Sequence, residues 1–599
     1  MRDIITPTYT TLGMVFEKNF LFEVPKYQRY YSWEDEQVDD YIKDIKSLYS
    51  HASEQEVEHF FGGIVVVEKT IAGSNRQQRE LIDGQQRITT TILLIISLIR
   101  KYEALKNEGN KTLVNSRIEK LKTKYLWYDD EINRQPQKVP KLVLSKADRQ
   151  YFENLVSGVP CTESRDSHKR IHKAFKKIER FVDSCIASAE DLDKQIDVLA
   201  TIEDIIHNNC TIIFIDAKTR DSAYKLFQVL NDRGAGLTEG DLLKSKTLEV
   251  LEKHFSIKQA SIETAWDEIL QDEPKQVEQF LRYYYASVCG NRVGRTTLYD
   301  DFLKRFFPSI VELSDITDEG DATVVVDSVN EILREMRIYR KISSGEWPYE
   351  AAQPVTEWDR KRLDVLVNFL DFDIVYPLLL AATQLKQKTF AELVHMLEKF
   401  MFRYKSVCNL GHQKLSDLYM QEAVKIRNDP TAYSLGGLKT VLKRFMTTEC
   451  TNEVFTAGLS NMRYRTTGSN KQLRYFFSTL NEYIEWYRDG ANGKPQANTS
   501  IVINYDNVTI EHICSQSDDA TQAGFTEETK HNISNLTILT AVENNDKVRN
   551  KKYVEKQPIY VDSSYVINRY FSDVATWDQA ESEKWLSYIK DAACKIFVV

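Results

Sequence analysis

No two of the eight cysteines stand as Cys-x-x-Cys; they are scattered along 599 residues. A zinc ribbon or a disulfide framework is therefore not the organising device. Long hydrophobic runs are missing as well. The longest largely apolar run, Ile92 to Ile99, falls far short of the ~20 residues that cross a bilayer. Met1-Arg2-Asp3-Ile4 opens no apolar h-region, so no signal peptide is expected. Positive charge is not in excess: 79 Lys and Arg against 88 Asp and Glu leave −9. That excludes a protein coating nucleic acid along its whole surface but leaves room for a local basic groove. No repeat period marks a solenoid. The expectation is a soluble cytoplasmic chain with no membrane partner. With 42% hydrophobic residues it can build sizeable cores, and its length allows several domains of ~100–200 residues.

The first stretch reads as α/β. Val24 precedes Pro25 and is biased away from helix, so Val24 to Tyr31 reads as extended. Ser32, with Asp35 three residues on, reads as the N-cap of a helix from Trp33 to about Tyr49. Phe60 to Val67 is rich in β-branched residues and reads as a buried strand. Gly73-Ser74-Asn75 marks a turn, and Glu80-Leu81-Ile82 returns as a strand. Asp83-Gly84-Gln85-Gln86-Arg87 then lies where strand gives way to a helix, placed at Thr89 to about Tyr102. Backbone N–H groups at a helix start favour anions, Arg87 supplies a cation that grips phosphate bidentately, and two glutamines supply neutral donors and acceptors. Arg134 to Pro140 reads as a loop, Cys210 to Ile215 as a strand, Ser222 to Leu230 as a helix, and Thr238 with Asp241 as a capping box. Residues 251–488 are a succession of helices with few strand signals. The basic content around Arg403, Lys405, Lys414, Lys439, Lys443 and Arg444 reads as a charge-balanced helix face, in preference to a DNA-facing surface. Asp489 to Pro495 is a Gly/Asn/Pro linker.

Beyond the linker, Ile501, Ile503 and Tyr505, then Val508 and Ile510, read as two strands around an Asp506-Asn507 turn. Ile533 to Leu539 reads as another strand, and Ala541 to Arg549 as a short helix with Thr540 as N-cap. This order would bring Glu511, His512, Asn535 and one of Asn544 and Asn545 into one small site. The residue types suit phosphodiester cleavage. A neutral imidazole takes a proton from water near pH 7, and a carboxylate with an amide oxygen suits Mg²⁺ or Mn²⁺. Lys547, Arg549, Lys551, Lys552 and Lys556 outnumber the acids nearby and read as a phosphate grip. A last helix, Asp578 to about Ala593, would close the segment.

The Glu511-His512-Ile513, Asn535-Leu536-Thr537 and Asn544/Asn545 pattern resembles the HNH (His-Me finger) nucleases, in the variant found at the C-terminus of GmrSD-type modification-dependent restriction enzymes. Two departures stand out: one extra residue before Asn550-Lys551, and Cys514-Ser515 where Pro often follows His-Ile. Asp83-Gly84-Gln85-Gln86-Arg87, with Tyr27-Gln28-Arg29, Phe61-Gly62-Gly63, Leu230 to Gly234 and Leu237-Thr238-x-x-Asp241-Leu242-Leu243, is similar to the N-terminal domain of the same proteins, a fold likened to ParB and sulfiredoxin. The resemblance implies an α+β multidomain chain: a nucleotide-binding and sensing domain at 1–250, a helical middle at 251–488 and a ββα-metal nuclease domain at 489–599. It implies His512 as general base, Asn535 as an orienting catalytic residue, Glu511 and Asn544 or Asn545 as metal ligands, and Lys551 and Lys552 on DNA phosphates. It implies Tyr27, Gln28, Arg29, Asp83, Gly84, Gln85, Gln86 and Arg87 around a GTP or ATP. Partners would be modified double-stranded DNA and a second copy in a homodimer. The competing expectations are a DNA- or nucleotide-sensing regulator whose HNH-like domain no longer cuts, and an RNA-cleaving abortive-infection toxin.

Overall fold

Six short strands make one mixed sheet in the first half of the chain. They are β1 (Ile5–Thr11), β2 (Leu21–Glu23), β3 (His59–Lys69), β4 (Gln78–Asp83), β7 (Leu142–Val143) and β8 (Cys210–Ala217), in the order β1-β8-β3-β4-β2-β7. A separate hairpin joins β5 (Trp127–Ile132) to β6 (Gln135–Pro140). The structure is a computed structural model. It describes the chain except residues 1–4, 19, 26, 27, 29, 53–56, 70–76, 133, 134, 219–222, 224–237, 295, 296, 312, 314, 351–354, 517–523 and 528. The expected turn at 73–75 and most of the expected helix at 222–230 therefore lie outside the described residues, as do Tyr27 and Arg29.

β3 is central, antiparallel to β4 and parallel to β8, and its Ile64, Val65 and Val66 are wholly buried. β1 lies on the edge, which is where Pro7, lacking an N–H, is tolerated. The helix Gln85–Leu105 is the core of this unit. From Gln85 to Leu98 every residue but Arg87 is buried, so the apolar run is buried on all sides within the fold rather than in lipid. It packs on the helices Asp166–Ile186 and Leu192–Asp204. No helix among the described residues is long and apolar enough to cross a membrane.

Three local expectations are corrected. The helix expected at Trp33 runs Asp35–Ser50 and is boxed by Glu34 with Gln37, because the Ser32 N–H is taken by Gln86 Oε1 at 3.0 Å. The helix expected at Thr89 starts at Gln85, directly after Gly84 in left-handed backbone. The expected loop at Arg134–Pro140 is strand β6 from Gln135 on, since pairing with β5 satisfies its backbone.

The chain forms two compact units, residues 1–266 with 309–323, and 267–308 with 324–599. The second unit is helical up to the short hairpin of β9 (Val508–His512) and β10 (Leu536–Thr540). Its core runs without a break from Trp358, Phe402 and Phe476 to Tyr505, Leu536 and Trp585. Tyr284, Phe400, Phe402 and Tyr404 are buried in this unit. The strand expected at Ile501–Tyr505 is absent. Ile503 and Tyr505 are buried, but against helices: the Tyr505 hydroxyl donates to Glu482 on the helix Lys471–Arg488. Arg403, expected on a solvated face, is fully buried and donates to the carbonyls of Cys450 and Phe597.

Candidate functional site

β9 carries Glu511 and His512 at its end, opposite Thr537 and Leu536 of β10. Asn535, wholly buried, fastens the turn that follows. Its Oδ1 accepts from the Cys514 N–H at 2.8 Å and from Trp577 Nε1 at 2.9 Å. Its Nδ2 donates to the carbonyls of Cys514 and Lys530. Three of the four bonds go to backbone and the fourth to the Trp577 indole, so the Asn535 amide is spent on holding this turn in place. Thr540 caps the segment after β10 as expected, and Glu543 returns the bond; the helix expected over Ala541–Arg549 is instead a wide turn over Glu543–Val548.

His512 is 4% exposed. Gln516 Nε2 donates to its Nδ1 at 3.0 Å, and its Nε2 meets His531 Nδ1 at 3.1 Å. Tyr464 stands edge-on, 4.7 Å from the His512 ring. Burial, then the nearby His531, Lys556 and Lys530, pushes the imidazole down to about 3. It is neutral at physiological pH, with a lone pair for a proton. Glu511 is buried beside it. Its Oε1 accepts from Lys556 Nζ at 2.7 Å and from the Tyr560 hydroxyl at 2.9 Å, while Lys556 also donates to the His512 carbonyl at 2.7 Å. Burial raises the Glu511 carboxyl and Lys556 opposes the rise. Lys556 is 1% exposed, so it belongs to this clasp and is corrected out of the expected phosphate grip; Lys551 and Lys552 are exposed. His531, Gln516, Tyr464 and Tyr560 escaped the sequence reading.

Asn544 Nδ2 donates to Thr509 Oγ1 at 3.1 Å and to the Ile510 carbonyl at 3.4 Å, which ties its amide to β9 just before Glu511. With the nitrogen spent on β9, Oδ1 is left as a hard acceptor. Asn545 is exposed, and its carbonyl holds Arg549 Nε at 2.8 Å. No group of three His, Cys, Asp or Glu side chains that could hold a metal occurs among the described residues. A carboxylate and an amide oxygen are donors of the kind Mg²⁺ takes beside waters and substrate phosphate, and here one carboxylate oxygen is already held by Lys556 and Tyr560.

Arg549 closes this turn at φ 46°, ψ −134°, a backbone region that costs an L-residue about 1–3 kcal/mol. Arg549→Gly should therefore stabilise the second unit by about 1 kcal/mol; thermal unfolding that shifts downward would contradict this.

In the first unit, Gly84 has φ 94°, and a Cβ there would lie 2.8 Å from Ile64 Cγ1. Gly62 likewise leaves room for the Arg87 guanidinium, which a Cβ would approach to 3.0 Å. Arg87 Nη1 donates to the Gly63 carbonyl at 2.7 Å and faces Asp83 at 3.6 Å. Gln28 Nε2 donates to the Ile82 carbonyl at 2.8 Å. Gln86 spends both ends of its amide on the backbone of Tyr30 and Ser32. Gln85 is different: it is 5% exposed, and among the described residues neither its Nε2 nor its Oε1 has a hydrogen-bond partner. Lys244 lies 5.6 Å over the Tyr30 ring and Arg165 lies 5.7 Å from it. These two cations were not singled out from sequence.

Comparison with known families follows the same division. The family model for the GmrSD restriction endonuclease N-terminal domain matches residues 12–248, and that for the GmrSD restriction endonuclease C-terminal domain matches residues 450–589. The chain belongs to the GmrSD restriction endonucleases. No curated protein matches it.

Proposed function

We propose that the chain is a metal-dependent HNH-type endonuclease that cuts modified or foreign double-stranded DNA in defence against phage, under the control of GTP or ATP held in the N-terminal unit. The observation that carries the nuclease reading is the buried, neutral His512 at the end of β9, beside a carboxylate and an anchored amide. In this reading His512 accepts the proton of the attacking water. Glu511 and Asn544 are the residues that would hold Mg²⁺ or Mn²⁺, which when bound neutralises charge on the phosphate and leaving oxygens. Asn535 and Lys556 fix the strand end that carries the base. The exposed Lys551 and Lys552 supply phosphate contacts. The test is incubation of the purified chain and its His512→Ala variant with plasmid and with phage DNA bearing modified bases, in Mg²⁺ or Mn²⁺, with and without GTP or ATP. Cleavage by the parent alone supports the reading. No cleavage of any substrate, with nucleotide hydrolysis intact, favours the sensing regulator.

The nucleotide reading is supported by Gln85. A buried amide with four unused hydrogen-bonding positions is costly unless something fills it, and it sits at the first turn of a helix whose start favours anions. Gln85→Ala should weaken nucleotide binding by about tenfold at little cost to folding, whereas Gln86→Ala, which frees two backbone groups, should cost about 1–2 kcal/mol of stability. Nucleotide titration and thermal unfolding of both variants check this; equal affinity of parent and Gln85→Ala would remove Gln85 from the site.

A further inference from the structure

Both ring nitrogens of His512 are engaged, and the two partners are not equivalent. Gln516 Nε2 is an amide NH₂ and only donates, so the Nδ1 it meets carries a lone pair. A neutral imidazole has one proton, which must then lie on Nε2. The group facing Nε2 is His531 Nδ1, at 3.1 Å, and it must accept. His531 is itself placed from outside: its carbonyl accepts the Tyr464 N–H at 2.8 Å, and the Tyr464 ring lies nearly parallel to it at 6.0 Å while standing edge-on to His512. The backbone carbonyl of Lys530, the neighbouring residue, is held by Asn535. The second histidine is thus fixed on one side by β10's lead-in and on the other by an aromatic wedge.

We propose that His531 is the positioning residue that sets the reactive tautomer of His512, by accepting Nε2–H and leaving Nδ1 as the basic atom. The inference rests on the nuclease reading above for its catalytic consequence but not for its structural one. In the reaction, a water gives one proton to His512 Nδ1 while its oxygen bonds to phosphorus. The P–O bond to the leaving strand breaks, and that oxygen takes a proton from solvent. His512 then carries two protons, the one on Nε2 still shared with His531, and returns one to solvent. Gln516, a donor to Nδ1, stands where the water's O–H would stand. Without His531 only the exposed Gln516 still favours the proton on Nε2. That donor must leave Nδ1 before the water can enter, so the population with Nδ1–H, which is inert as a base, grows.

Three full-length proteins test this: the parent, His531→Ala and His531→Asn. An Asn side chain can offer Oδ1 near the place of Nδ1, so it preserves an acceptor without an imidazole. His531 is only half-buried, so the alanine variant should fold, and an unchanged melting curve verifies it. His531→Ala should lower kcat about 100-fold with KM within about threefold, and His531→Asn should recover most of the loss. Histidine-selective nitrogen NMR, with the His512 signals assigned by their disappearance in His512→Gln, should report Nε2–H in the parent and in His531→Asn and a mixture of tautomers in His531→Ala. An unchanged kcat, an unchanged tautomer in His531→Ala, or an asparagine variant as impaired as the alanine one would overturn the proposal. If the parent cleaves no nucleic acid, the nuclease reading fails and the NMR comparison alone decides the tautomer.

Discussion

His512→Ala is expected to slow DNA cleavage by about 10²–10⁴-fold, the share of a rate that a positioned general base contributes, and to leave unchanged whatever nucleotide hydrolysis the parent shows under the proposed reading. The size follows from the site. In the proposed reading Nδ1 is the base, held in a buried pocket, and an alanine puts no proton acceptor in its place. The substitution also strands two groups, His531 Nδ1 and the Gln516 amide, so some stability is lost. Continued nucleotide turnover and a retained unfolding transition separate loss of chemistry from loss of fold. Glu511→Gln makes a useful companion. It keeps the Tyr560 bond but removes the charge opposite Lys556 Nζ, which is 2.7 Å away. Under the metal reading it should raise the Mg²⁺ needed for half-maximal cutting. Undiminished cleavage by His512→Ala would sink the assignment. Loss of RNA degradation by that variant, with DNA intact throughout, would move the substrate to RNA, since the same base serves either polymer.

What was legible in the sequence was local. The Thr238–Asp241 and Thr540–Glu543 caps depend on residues three apart, and both form as read. Gly84 was legible as a strand-to-helix turn because only backbone of that kind needs glycine. The two strands that carry His512 and follow Asn535 were legible from alternation, whereas the segment after them, read as a short helix, is a wide turn over Glu543–Val548. The environment of His512 was not. His531 is 19 residues from it and Lys556 lies 45 residues from Glu511, and neither pairing leaves a periodic trace. Lys556 was misplaced for a physical reason: in composition a buried lysine looks like its exposed neighbours Lys551 and Lys552, and only a buried carboxylate across the chain separates them. Ile501 and Ile503 failed as a strand because alternation reports one apolar side, whatever covers it. Here helices cover it, and Ile501 itself is 57% exposed.

Arg362→Met should destabilise the second unit by about 3–5 kcal/mol, the usual result of stripping one partner from a buried ion pair. Arg362 is 2% exposed, and its Nη1 lies 3.2 Å from both Glu398 and Glu482. The guanidinium also stacks 4.9 Å from the Trp358 ring and 5.1 Å from the Tyr505 ring. One cation thus joins the helices Glu357–Asp364, Gln387–Met401 and Lys471–Arg488 to the segment that leads into β9. One cation cannot satisfy two buried carboxylates equally. Burial raises Glu482 from its ordinary 4.5 to about 7, with Arg362 opposing the rise and Glu398 adding to it. The folded state therefore holds a proton that the unfolded chain releases. The resulting stability is fully present below pH 4.5 and is lost as pH rises through about 7. Denaturant unfolding across that window should show the parent weakening towards neutral pH and Glu482→Gln, which needs no proton, holding level. If the double variant Arg362→Met, Glu482→Gln proves more stable than Arg362→Met alone, the damage comes from a stranded carboxylate. If it does not, the loss lies in the packing of Arg362 between Trp358 and Tyr505.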